Sequence, residues 1–172
     1  MAVRCKYVPT DHDIDQLLAT APPPLAAAIC LMSDAGCRLR EALAYDPSSR
    51  SAQGVLRIYA TKSRRWRSVP IPTRLDTALL RLARARARAM PTPRDTQRAL
   101  DALATRQGVE KTSPHRLRHS YATRLYRAGI PIHVISSLLG HSKLSVTLLY
   151  VHSEHDDWQR VRSALDTLAS RA

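Results

Sequence analysis

The chain contains no phenylalanine, five glycines, and 14 acidic side chains against 27 lysines and arginines. No glycine-rich loop of the kind that cradles a nucleotide phosphate is present, and the carboxylates are not gathered as a two-metal nuclease needs. Asp11, Asp13 and Asp15 lie close together, and a helix cap accounts for them. The three cysteines, Cys5, Cys30 and Cys37, are scattered and odd in number, which excludes a disulfide framework and zinc-ligand spacing. His141 and His152 lack a third ligand at zinc spacing. No metal and no cofactor is therefore expected. No run approaches the ~18 apolar residues of a membrane span, and the N-terminus has no secretory apolar region. Internal repeats are absent too.

What remains is a strongly basic chain of 172 residues with a formal charge of +13, long enough for one domain with a buried core. Such a surplus fits a polyanionic partner, most simply nucleic acid; a coding bias toward Arg and Ala is the plain alternative. Cys30 and Cys37 fall in an apolar helical stretch and read as buried free thiols, which suits a reducing cytoplasm.

Periodicity and punctuation predict a mainly α chain with one small antiparallel sheet. "PTDHDIDQLLAT" opens a short helix capped by Thr10 or Asp11, and "APPPLAAAICLMSDAG" is a buried helix entered through prolines and broken at Gly36. "CRLREALAYD" is a short helix with Arg38 at its start. "VLRIYATK" and "WRSVPI" are two strands about a basic turn at Ser63–Arg65. "TRLDTALLRLARARARAM" and "PRDTQRALDALATRQG" are amphipathic helices. Ser113 and Pro114 start a helix that stops at Gly129, Pro131 opens another closed by Gly140, and a last helix begins near Ser153.

The chemistry converges on Tyr150, preceded by His141, His115 with Arg118, Lys62 and Arg38. One phenol, two imidazoles and three fixed cations suffice to attack a phosphodiester and offset the charge that builds on it. A phenol is a weak nucleophile at neutral pH because its pKa is near ~10, and neighbouring positive charge favours the phenolate. His115 and Arg118 stand at i and i+3, on one face of a helix. In the first turn the macrodipole disfavours the imidazolium, leaving His115 suited to accept a proton. Arg38 and Arg118 are bidentate donors for phosphate oxygens. A plain salt bridge of Arg38 with Glu41 or Asp34 is the structural alternative. Tyr121 and Tyr126 read as packing residues.

These residues and their contexts, "AGCRLREAL", "TKSRRWRSVPI", "SPHRLRHSYATRL" and "LLGHSKLSVTLLYVH", resemble the catalytic domain of tyrosine recombinases, the lambda-type phage integrases. The resemblance implies their mainly helical fold and metal-free cleavage of double-stranded DNA through a 3′-phosphotyrosyl bond. Tyr150 is then the nucleophile, Lys62 the general acid, and Arg38, His115, Arg118 and His141 the phosphate and proton-handling set. Arg40 stands where the family has Ser. Candidate DNA contacts beyond this set are Lys6, Arg64, Arg65, Arg67, Arg116 and Lys143, with the Arg84/Arg86/Arg88 run less directed. The signature begins almost at Met1, so residues 1–172 are expected to form a single catalytic domain, without the N-terminal core-binding domain that relatives usually carry. The last helix is where relatives exchange contacts with a second subunit, which makes a homo-oligomer on DNA an expectation. The same set would also fit a DNA-binding accessory protein without strand exchange, or type IB topoisomerase-like relaxation. A suicide substrate and a plasmid relaxation assay separate these.

Overall fold

A computed structural model describes residues 7–60, 64–85 and 90–140. Lys6, Lys62, His141, Lys143 and Tyr150 lie outside the described residues, as do Cys5, Arg86, Arg88 and the last helix.

The core is organised by its most apolar helix. α1 (Asp11–Thr20) leads into α2 (Pro23–Asp34), in which every residue from Leu25 to Asp34 is buried. An Ala-rich helix that is apolar all round has no solvent face to offer, so α1, α4 (Thr73–Arg84), α6 (Pro114–Arg127) and α3 (Leu39–Leu43) pack about it. Its small side chains let these neighbours approach. α5 (Pro93–Gln107) closes over α1, and α7 (Ile132–Leu139) packs on α6.

Local chemistry sets the boundaries much as the sequence predicts. Thr10 and Asp13 form a reciprocal capping box on α1, so Thr10 is the cap. The side chains of Thr92 and Ser113 accept hydrogen bonds from Asp95 N and Arg116 N at the starts of α5 and α6. α7 ends on Gly140 at φ 66°, a left-handed cap that favours glycine.

β1 (Val55–Ala60) and β2 (Arg65–Pro70) form a two-stranded antiparallel sheet in which Leu56 faces Val69, Ile58 faces Arg67 and Tyr59 faces Trp66. Leu56, Ile58, Ala60 and Val69 point inward, while Arg57, Tyr59, Trp66 and Ser68 point out. On the outer face Tyr59 and Trp66 pack with ring centroids 5.2 Å apart, and Arg57 lies over the Trp66 ring. Among the described residues no helix is long and apolar enough to cross a membrane.

Candidate active site

The site is built at the corner between α2 and α3. Gly36 turns the chain at φ 61°, and Cys37 N returns a hydrogen bond to Leu31 O at 2.9 Å. A Cβ at Gly36 would stand 2.6 Å from Tyr121 Cδ1 and 3.0 Å from Leu139 Cδ2, so the corner fits only glycine. The turn delivers Arg38 to the N-cap of α3. Glu41, three residues on, reaches back to accept from Arg38 N and Arg38 Nη1, each at 2.9 Å.

Glu41 is the hub of the site. Its side chain is 1% exposed, and it pairs with Arg38 at 2.9 Å, with Arg67 at 2.7 Å and with Arg118 at 3.8 Å. Burial by itself would raise this carboxyl. The Arg67 hydrogen bond and the Arg38 donors outweigh it and hold the group below the ordinary carboxylate range. Among the described residues, three guanidinium groups thus surround one carboxylate, and the surplus positive charge persists. The buried Cys37 thiol beside them is pushed up to about 12 by burial.

Arg118 is 4% exposed, and its guanidinium donates to Gly36 O at 2.6 Å and to Leu139 O at 2.8 Å. One side chain from α6 therefore clamps the α2–α3 corner to the end of α7, next to Gly140. His115 lies in the first turn of α6 and is exposed. Of the candidates within the described residues, the fold brings Arg38 and Arg118 to one carboxylate and places His115 on the helix that carries Arg118.

Arg67, expected among the candidate phosphate contacts, is turned toward the protein interior. Strand alternation turns it inward with Val69, it is 8% exposed, and its charge is committed to Glu41. The signal was available, because Val69 two residues on is a core position and Arg67 shares its face. Arg64 and Arg65 are exposed near the turn. Arg116 is half-buried, donating to Lys111 O at 2.5 Å and lying over the Tyr7 ring. Tyr121 is 6% exposed and packs in the core, as expected for a tyrosine with no chemical role.

Asp34, the other partner considered for Arg38, belongs elsewhere. It accepts from Arg74 at 2.6 and 2.9 Å and from Arg124 at 2.8 Å. Arg124 also donates to Ser33 O. Asp11 binds both arginines and Asp15 binds Arg74, so only Asp13 of the acidic trio serves as a cap.

The family model described as "Phage integrase family" matches residues 8–156, and the chain belongs to that family. Tyrosine recombinase XerC of Chromohalobacter salexigens is 31% identical over 192 aligned positions, covering 97% of this chain and 63% of the relative. The structure of XerA recombinase superposes with a TM-score of 0.79 at 20% identity, over 95% of this chain and 65% of that one. XerH recombinase bound to a palindromic difH substrate after cleavage superposes at 0.76 with 17% identity, over 92% and 52%. These likenesses show the tyrosine recombinase catalytic fold. The chain spans between 22% and 63% of the length of two of the curated relatives it matches.

Proposed function

We propose that the chain is the catalytic domain of a site-specific DNA recombinase acting on double-stranded DNA in the cytoplasm of a prokaryotic or phage-infected cell. The observation that carries this reading is the gathering of Arg38, Arg67 and Arg118 about the single carboxylate of Glu41. A buried surplus of guanidinium charge is costly unless an anion completes it. A scissile phosphodiester supplies that anion, and its charge grows in the pentacoordinate transition state. Donors fixed in advance then stabilise the transition state more than the ground state.

In this scheme Tyr150 Oη attacks phosphorus and the bond to the 5′ oxygen breaks. His115 accepts the phenolic proton, and Lys62 supplies a proton to the departing 5′-hydroxyl. The 3′-phosphotyrosyl bond conserves the energy of the broken ester, so a second 5′-hydroxyl reverses the step without a nucleotide cofactor. Arg38, Arg118 and His141 hold the non-bridging oxygens. Residues 1–172 act as one catalytic domain, assembling with further copies on DNA through the last helix.

The test is covalent trapping. On a nicked duplex that loses the short 5′-hydroxyl fragment, the parent chain accumulates a denaturation-resistant protein–DNA adduct. Tyr150→Phe binds the same duplex and forms none. An adduct that persists in Tyr150→Phe sinks the assignment.

A further inference from the structure

We propose that Arg67 is a positioning residue for DNA cleavage: its buried guanidinium shares the charge of Glu41 with Arg38 and Arg118, so that the three cations together keep a net positive charge toward the phosphate. The inference rests on the recombinase reading and assigns a role to a residue outside the reacting set. Arg67 faces Ile58 across the sheet and shares its inward face with Val69, a place where an apolar side chain would fit at no electrostatic cost. Instead it holds a charge that is 8% exposed. Nη2 donates to Glu41 Oε2 at 2.7 Å and lies 3.4 Å from Gly36 O. Nε and Nη1 are buried with no hydrogen-bond acceptor among the described residues. A buried cation with unsatisfied donors reduces stability, so packing alone does not explain it.

Its position does. Glu41 has three cations within reach, and Arg67 is the nearest, at 2.7 Å. Without Arg67 the buried carboxylate would rest on Arg38 and Arg118 alone as its counter-ions. With Arg67 in place three guanidinium groups share one carboxylate, and the excess of positive charge faces an incoming anion. The same side chain touches the end of α7: a Cβ at Gly140 would stand 3.3 Å from Arg67 Cδ and 3.4 Å from Nη1. Gly140 directly precedes His141, and Lys62 lies in the segment joining β1 to β2. One guanidinium therefore bears on the strand following Lys62, the corner carrying Arg38, the acceptor of Arg118 and the cap preceding His141.

The test uses the full chain. A randomised pool of nicked duplexes, recovered by protein attachment after denaturation, supplies a duplex that the parent cleaves. On that duplex the first-turnover rate at saturating protein and the Kd are measured separately. Arg67→Met is expected to slow adduct formation on the order of 10²-fold, as for a lost charge-stabilising donor, with Kd changed by less than about threefold. Arg67→Lys, which keeps the charge, is expected to recover about tenfold of that loss. The double variant Arg67→Met/Glu41→Gln is expected to cleave about tenfold faster than Arg67→Met alone, because no anion then competes for Arg38 and Arg118. A purely structural role would not give that rescue.

A folded Arg67→Met that cleaves at the parent's rate overturns the proposal. So does a rate that falls only in step with affinity, or a double variant no faster than the single one. Where Arg67→Met shows no cooperative melt, the uncharged polar variant Arg67→Gln takes its place, and a rate equal to the parent's then overturns the proposal. A parent chain that yields no adduct from the whole pool sinks the recombinase reading and the role of Arg67 with it, whereas an active parent with unimpaired Arg67 variants sinks the role alone.

Discussion

Arg118 Nη1 donates to the carbonyl oxygen of Gly36 at 2.6 Å, so a guanidinium from α6 is seated on the turn that ends α2. Gly36 adopts φ 61° at that turn, and the Tyr121 ring of the same α6 fills the space a side chain would need. Position, turn and helix are thus one unit.

Gly36→Ala should break it. The left-handed backbone costs an L-residue about 1–2 kcal/mol, and a methyl group 2.6 Å from a buried ring adds about 1–3 kcal/mol of overpacking. A total loss of about 2–5 kcal/mol is expected in the urea unfolding midpoint at constant m-value. A midpoint equal to the parent's would show that the corner relaxes freely.

How far the sequence revealed this site follows from the kind of signal each residue carries. The ends of α6 and α7 were legible because Ser113, Pro114 and Gly140 act on their own neighbours in the chain. Arg38 at a helix start was legible for the same reason. The hub was not, because nothing local says that Glu41 collects guanidinium groups from β2 and α6; that follows from tertiary packing. That Arg67 turns inward follows from its alternation with Val69, a local signal that its charge obscured. Asp34 offered no signal that separated Arg38 from Arg74 and Arg124 as partners, since the latter two are far from it in the chain and meet it only through tertiary packing.

Glu41 makes stability depend on pH in a definite direction. Its carboxyl is held below the ordinary range in the folded chain, so its contribution is fully present above the unfolded value, ~4.3, and is lost as pH falls through the lower folded value. Glu41→Gln should cost about 3–5 kcal/mol at neutral pH by leaving buried guanidinium charge uncompensated. The gap to the parent should narrow below about pH 4. Denaturant unfolding across pH 3–7 is the measurement, and a gap that widens toward acid would contradict the pairing.

The Asp34 cluster offers a control for the active-site hub. Its side chain is 3% exposed and binds Arg74 and Arg124, joining α2 to α4 and α6 away from Glu41. Asp34→Asn should destabilise the fold by about 3–5 kcal/mol, comparably to Glu41→Gln, because it too strands buried arginine charge. Well below its melting temperature, however, it should form the covalent DNA adduct at the parent's rate. A folded Asp34→Asn chain with a selective loss of cleavage would show that the two clusters are coupled.

Exposed and buried arginines of the same strand should separate in their response to salt. Arg64 and Arg65 are exposed at the start of β2, whereas Arg67 is turned inward onto Glu41. A cation that meets a DNA phosphate releases a counterion, and its removal lowers the steepness of log K against log salt by about one. Arg64→Ala and Arg65→Ala should each flatten the slope by about that amount and weaken binding alike on all sequences. Arg67→Met should leave the slope unchanged, since its charge is already neutralised inside the protein. Fluorescence anisotropy of a labelled duplex between low and moderate salt reads all three. A slope that falls with Arg67→Met but stands firm with both exposed variants would reverse the assignment of inner and outer cations on β2.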